Sequence, residues 1–195
     1  MLAYSDYDKL KKLLKDGKYD KLDEYLDKLC YKTYLETARK ALLKYETVKG
    51  NPYYGYVEGE KLLLSDYCSV FKLNSDEILT PNRRETLKAG KKTFDNDILL
   101  KLLNSYNNII NADKIDIGKI EKVQSFRENV YDITSDDGSI VSSYSVKLFD
   151  CSNSFLGRNA SFKLVPYLNI DNIYAIFAES EKGTGVVLPI QKVKN

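Results

Sequence analysis

The chain has 195 residues, 43% of them apolar and 30% charged, with a formal net charge of +2. That length buries roughly 70% of the unfolded surface without a disulfide or metal staple, and so small a net charge gives no global field to attract nucleic acid. Histidine is absent, which excludes Ser-His-Asp and Cys-His catalysis and every zinc site that uses imidazole.

Residues 5 to 46 carry a helical pattern. Ser5 is placed to cap a first helix, in which Leu10, Leu13 and Leu14 form an apolar stripe ending at Asp16-Gly17. A second helix places Leu22, Tyr25, Leu26 and Leu29 at spacings of three and four. Thr33 opens a third, with Leu35, Ala38, Leu42 and Tyr45 along one face. Lys alternates with Asp and Glu on the outer faces, the pattern of solvated helices with salt-bridge pairs.

At Gly50-Asn51-Pro52 the apolar period changes from 3.6 to 2. The stretch Tyr54 to Asn74 then reads as two or three strands with a turn at Glu58-Gly59-Glu60, closed by Thr80-Pro81. Pro81 to Lys92 is expected to be an exposed basic connection, and Phe94 to Asn108 a helix capped by Asp95 or Asn96. In Ile120 to Phe149, Asp137-Gly138 between alternating runs predicts a hairpin. Ser145 to Leu156 is expected to be a helix ending at Gly157. Strands follow at Phe162 to Leu168, Ile173 to Glu179 and Gly185 to Gln191, the last two joined by a turn at Glu181-Lys182-Gly183. The helices at Thr33 to Glu46 and Ser145 to Leu156 each precede a block of hairpins. The expected fold is α+β, N-terminal helices followed by antiparallel sheets with helices on one face, and the element order suggests a duplicated helix-plus-strands unit. Residues 1–30 are expected to form a helical arm and 31–195 the α+β domain.

Few constellations offer chemistry. Thr134 to Ser139 resembles a calcium loop, but counting back five from Gly138 puts Ile133 where the first ligand belongs, so a hairpin turn is the better reading. Glu58 and Glu60 share a strand face yet flank a glycine turn, unlike the acid-x-lysine spacing of metal nucleases. Lys182 to Gly185 is too short for a phosphate loop and lacks the helix that should follow. No cofactor and no metal are expected. Cys30, Cys68 and Cys151 are scattered and odd in number, which suits structural thiols in a reducing compartment. No apolar run reaches the ~20 residues of a membrane span and no signal-peptide core opens the chain, so a cytoplasmic protein with no membrane contact is expected.

One local charge excess stands out: Arg83, Arg84, Lys88, Lys91 and Lys92 face Glu85 alone. Such a cluster neutralises phosphates without reading sequence. Tyr53, Tyr54 and Tyr56 have the rings to stack bases, although strand packing explains tyrosines as well.

Two segments carry a resemblance. In "YYGYVEGEKLLLSDYCSVFKLN", Gly59 stands at the turn, Leu62 and Leu64 in the strand, then Ser65-Asp66, then Val70, Phe71 and Leu73. In "IYAIFAESEKGTGVVLPIQ" an apolar strand and a turn lead to Leu188-Pro189-Ile190, and "YSVKLFDCSNSFLG" precedes it as a helix. This order resembles the bacterial replicative sliding clamps, the DNA polymerase III beta subunit, over roughly residues 33 to 79 and 130 to 191. The resemblance implies helices lining a ring around DNA, antiparallel sheets outside, and action without catalysis. A clamp chain has three such domains and this chain has room for about one, so ring closure implies a homo-oligomer. Abundant Lys, Asn, Ile and Tyr, no Trp and one Met fit an AT-rich genome, a Gram-positive bacterium or its phage. The leading expectation is therefore a non-enzymatic, clamp-like accessory protein of phage or mobile-element DNA replication. It would hold duplex DNA through Arg83, Arg84, Lys88, Lys91, Lys92, Lys40 and Lys44, or act through a replication partner. The alternative is an interaction or inhibitor module that binds a host protein with the N-terminal helices and no DNA. A carboxylate- and metal-dependent enzyme ranks last.

Overall fold

The structure is a computed structural model and describes residues 4–49, 53–57, 61–66, 68–88, 104–124, 129–167 and 172–190. Helix α1 spans Tyr4–Lys15 and α2 spans Tyr19–Lys49. They part at Asp16-Gly17, where Gly17 takes φ +66, a left-handed conformation in which a Cβ is strained. The restart expected at Thr33 is absent, because the second and third expected helices are one. Thr33 Oγ1 donates to Leu29 O at 2.9 Å and Thr37 Oγ1 to Thr33 O at 2.9 Å. Both hydroxyls bond a carbonyl four residues back in an unbroken helix instead of capping a new one.

The boundary expected at residues 30 and 31 falls inside α2. Burial changes near it: α1 has no buried residue, whereas Ala38, Ala41, Leu42 and Tyr45 of α2 are buried. The N-terminal hairpin is thus joined to the body by continuous helix.

After α2 come the strands β1 (Tyr53–Val57), β2 (Lys61–Ser65) and β3 (Ser69–Leu73), then helix α3 (Pro81–Lys88). A short helix, α4, covers 104–110; residues 94–103 of the expected Phe94 to Asn108 helix lie outside the described residues. Strands β4 (Ile115–Gln124), β5 (Asn129–Ser135) and β6 (Val141–Ser145) precede helix α5 (Val146–Leu156). Strands β7 (Ser161–Pro166), β8 (Tyr174–Ser180) and β9 (Gly183–Val187) close the order. The nine described strands join one antiparallel sheet in the order β1-β2-β3-β9-β8-β7-β4-β5-β6.

Two features of that order position everything else. Helix α2 precedes the meander β1-β2-β3, helix α5 precedes the meander β7-β8-β9, and the meanders join through their last strands, with Phe71 opposite Gly185. The sheet also bends. Strand β4 pairs with β7 only at Ile115 and Asp116, then with β5, with a register shift between Ile117 and Lys119. Gly118 sits at that shift because a Cβ there would lie 2.8 Å from Asp136 Cα. The bent sheet wraps α5, which touches β3, β5, β6, β8 and β9. The chain after β9 ties the wrap together, since Leu188 N donates to Cys68 O and Ile190 N to Ser143 O, each at 2.8 Å.

Helices α2 and α5 lie side by side on one face. Tyr34 Oη donates to Phe155 O at 2.8 Å and Cys151 Sγ approaches Ala41 O at 3.7 Å, so they run antiparallel. The main core fills the space between them and the sheet. Phe155, fully buried, meets Phe71 at 5.1 Å and Tyr45 at 5.8 Å, both edge to face, and burying one such side chain contributes about 1.5–3 kcal/mol. The opposite face carries a smaller cluster of Tyr106, Ile109, Val165, Ala175, Phe177 and Val186, with Tyr106 and Ile109 supplied by α4. Local chemistry sets the ends of α5. Ser145 at its start is extended (φ −60, ψ 123), and Gly157 at its end takes φ 81 while donating to Asn153 O. The hairpin at Asp137-Gly138 forms as expected, with Gly138 at φ +74.

Candidate nucleic-acid interface

The segment expected to be an open basic connection begins with helix α3. Pro81 takes its first position, where the missing N–H costs nothing and the fixed φ suits a helix. Arg83 N and Arg84 N both reach Thr80 O at 3.0 Å. Pro81 after Thr80 was the sequence signal for this helix, although it reads equally well as the end of a strand.

The helix brings Arg83, Arg84 and Lys88 together and also supplies their counterions. Arg83 pairs with Glu46 of α2 and lies 4.8 Å from the centre of the Tyr54 ring. Tyr54 Oη donates to the same Glu46 carboxylate. Tyr54 is 4% exposed; burial first, then that hydrogen bond, pushes its phenol far above the ordinary value. Arg84 Nη1 is 3.5 Å from Asp76 Oδ1 and Lys88 Nζ 3.9 Å from Asp76 Oδ2. Tyr56 Oη donates to Asp76 at 2.7 Å. The α3 cluster therefore fastens the helix to α2, β1 and the β3–α3 loop, with its positive field largely compensated. Tyr54 and Tyr56 are strand-packing residues, and the side chain of Tyr53 lies outside the described residues, as do Lys91, Lys92, Glu58 and Glu60.

Lys40 and Lys44 sit elsewhere, on the exposed side of α2, with Arg39 also exposed. Arg39 Nη2 donates to the Glu77 carbonyl at 2.9 Å. The antiparallel register brings the Lys44 end of α2 to the start of α5, where Lys147 is exposed. The Lys44 charge is felt at Cys151, partly offsetting the burial that pushes this thiol up to about 11. Lys40 and Lys44 of α2 and Lys147 of α5 are thus exposed, with Glu36 one turn before Lys40 and Asp150 one turn after Lys147 as exposed acids. Lys147 was missed in the sequence because nothing there tells which helix α2 lies against.

A second polar centre is the turn between β2 and β3. Asp66 is 7% exposed. Its Oδ1 accepts from Cys68 N at 3.0 Å, Ser69 N at 2.6 Å and Ser69 Oγ at 2.7 Å, while Oδ2 is buried with no hydrogen-bond partner among the described residues. Ser69 Oγ also lies 3.0 Å from Tyr45 Oη. This arrangement folds a turn and holds α2 to the sheet, and Ser69 also lines a small cavity of about 70 Å³ with Val70, Tyr106, Ile109 and Leu188. Among the described residues no three Cys, Asp or Glu side chains gather as a metal site, and no helix is long and apolar enough to cross a membrane. No protein-family model, no curated protein and no solved structure matches the chain.

Proposed function

We propose that the chain is a non-enzymatic, clamp-like accessory protein of phage or mobile-element DNA replication, which holds duplex DNA by its phosphates without reading sequence. The observation that carries this reading is the sheet order β1-β2-β3-β9-β8-β7 with α2 and α5 antiparallel on one face. Helix-plus-meander units joined through their last strands are what a doubled clamp-type unit would produce, and paired helices on one face are the part of a clamp that meets DNA.

Exposed Lys40, Lys44 and Lys147 on that face supply the charges such a surface needs. Contacts of this kind gain free energy mainly by releasing counterions, so they tolerate any sequence and let the protein slide. In this reading the contact surface is the helix pair, and the ion-paired Arg83, Arg84 and Lys88 hold the helix pair's flank in place. Binding of an arbitrary DNA duplex, followed by fluorescence anisotropy, is expected at low ionic strength and lost as salt rises. No binding at low salt would contradict the reading.

A second reading, a protein-interaction or inhibitor module, is favoured by a different observation: α1 has no buried residue, so the N-terminal hairpin has a surface to give to a protein.

A further inference from the structure

The N-terminal hairpin leaves an apolar groove open. Its walls are Tyr7, Leu10 and Leu14 from α1 and Leu22 and Leu26 from α2, with Lys11 at the edge. Tyr7 is 56% exposed, Leu14 57% and Leu26 40%. Positions 7, 10 and 14 form one stripe of α1, and 22 and 26 one stripe of α2, by the three-and-four spacing of a helix face. Half-buried Leu10, Leu13, Leu22, Tyr25 and Leu29 hold the two helices to each other. Yet a 12-residue helix with nothing fully buried is marginal in water by itself.

Charge identifies what covers the groove. On α1 the solvent side of the stripe is edged by Lys11 and Lys15, and on α2 by Asp23 and Asp27, each pair four residues apart and so on one side of its helix. The basic edge of α1 and the acidic edge of α2 are complementary to each other when a second hairpin is laid on the first across a twofold axis. The two stripes would then close on their copies, and Lys11 and Lys15 of each chain would face Asp23 and Asp27 of the other. A twofold contact is self-complementary by construction, and that is the property these edges have.

We infer that two copies of this chain associate through the α1/α2 hairpins as a four-helix bundle, with the Tyr7, Leu14 and Leu26 groove at its centre. The packing is that of short-loop helical hairpins, in which apolar stripes meet inside and charged edges pair outside. It leaves the α2/α5 face and the sheet free. It does not rest on the DNA-contacting reading, and DNA binding and self-association are separate measurements.

The test is the light-scattering mass of the full chain across a concentration series, with circular dichroism to follow folding. The expected mass is that of two 22.3 kDa chains. Leu26→Glu is expected to give a folded monomer. Reversing one edge, Lys11→Glu with Lys15→Glu, is expected to weaken association at low salt by about tenfold or more. Adding Asp23→Lys and Asp27→Lys to that variant is expected to restore it. This rescue keeps the test decisive should Leu26→Glu fail to fold. A monomer up to roughly 100 μM, well above the dissociation constants of specific dimers, would overturn the inference, whether or not another protein fills the groove. A dimer indifferent to both the groove and the edge changes would overturn it equally.

Discussion

The hydroxyl of Tyr45 lies 3.0 Å from Ser69 Oγ, and its ring stands edge-on to Phe71 and Phe155. One side chain thereby joins α2, the β2–β3 turn and α5. Burial is the first cause that lifts its phenol well above the ordinary value, as it is for Tyr54 and Tyr144, while Tyr34 is pushed up to about 12. These groups fold neutral, so their folded values exceed the unfolded value of 10.0. Their contribution to stability is complete below that pH and is lost as pH rises through the folded values. Phenolate absorbance during alkaline titration is therefore expected to include a late component from Tyr45, Tyr54 and Tyr144. This component should appear only with a steep, cooperative unfolding step above pH 10. A single smooth titration of all tyrosines would contradict the packing described. Asp66 gives a second prediction. Removing its carboxylate in Asp66→Ala strands the Cys68 and Ser69 N–H groups, which costs about 1–3 kcal/mol for each buried donor left unpaired, measurable by denaturant unfolding.

The joint between the two meanders depends on glycine. Gly183 opens β9 at φ +145, and a Cβ there would lie 2.3 Å from Lys72 O of β3. Gly183→Ala is expected to cost about 3 kcal/mol or more, strain and backbone collision together. Gly138→Ala, with φ +74 and open space around it, should lose only about 1–2 kcal/mol for the left-handed conformation. Equal losses at the two sites would mean that β9 does not lie against β3 as described. The elements themselves were largely legible. Gly157 closes α5 because a left-handed turn donating to Asn153 O is local chemistry, while Ser145 is extended and makes no side-chain capping bond, and Asp137-Gly138 marks its hairpin for the same local reason. What sequence could not carry was long-range. Glu46 and Asp76 neutralise Arg83, Arg84 and Lys88 from other elements, so a cluster that reads as free charge is a set of ties. Thr33 misled because a threonine caps a helix or bonds back within one, and only the chain around it decides which.

At the scale of the whole molecule, the sheet encloses α5, α2 lies beside it, and the N-terminal hairpin extends away with its groove open. In the proposed reading the face offered to DNA is the exposed side of the α2/α5 pair, on which Lys40 and Lys44 were named from sequence and Lys147 was added by the register of the two helices. The α3 cations, the larger cluster by eye, are better placed to hold the body together. Charge reversal separates these roles, because contacts to phosphate set the salt dependence of binding and ion pairs inside the fold set stability. Arg83→Glu, facing Glu46, is expected to lower the unfolding midpoint. Its effect on DNA binding should be smaller than that of a reversal on the helix pair.

The most direct test of the DNA-contacting account is the salt dependence of duplex binding by the full chain and by Lys40→Glu with Lys44→Glu, both checked for folding. The account predicts that log affinity falls linearly with log salt for the unaltered chain. The double reversal should bind more weakly at low salt and with a slope shallower by about 2, near 0.9 for each phosphate contact removed. An unchanged affinity and slope in the folded double variant, or no binding by either protein at low salt, would contradict it.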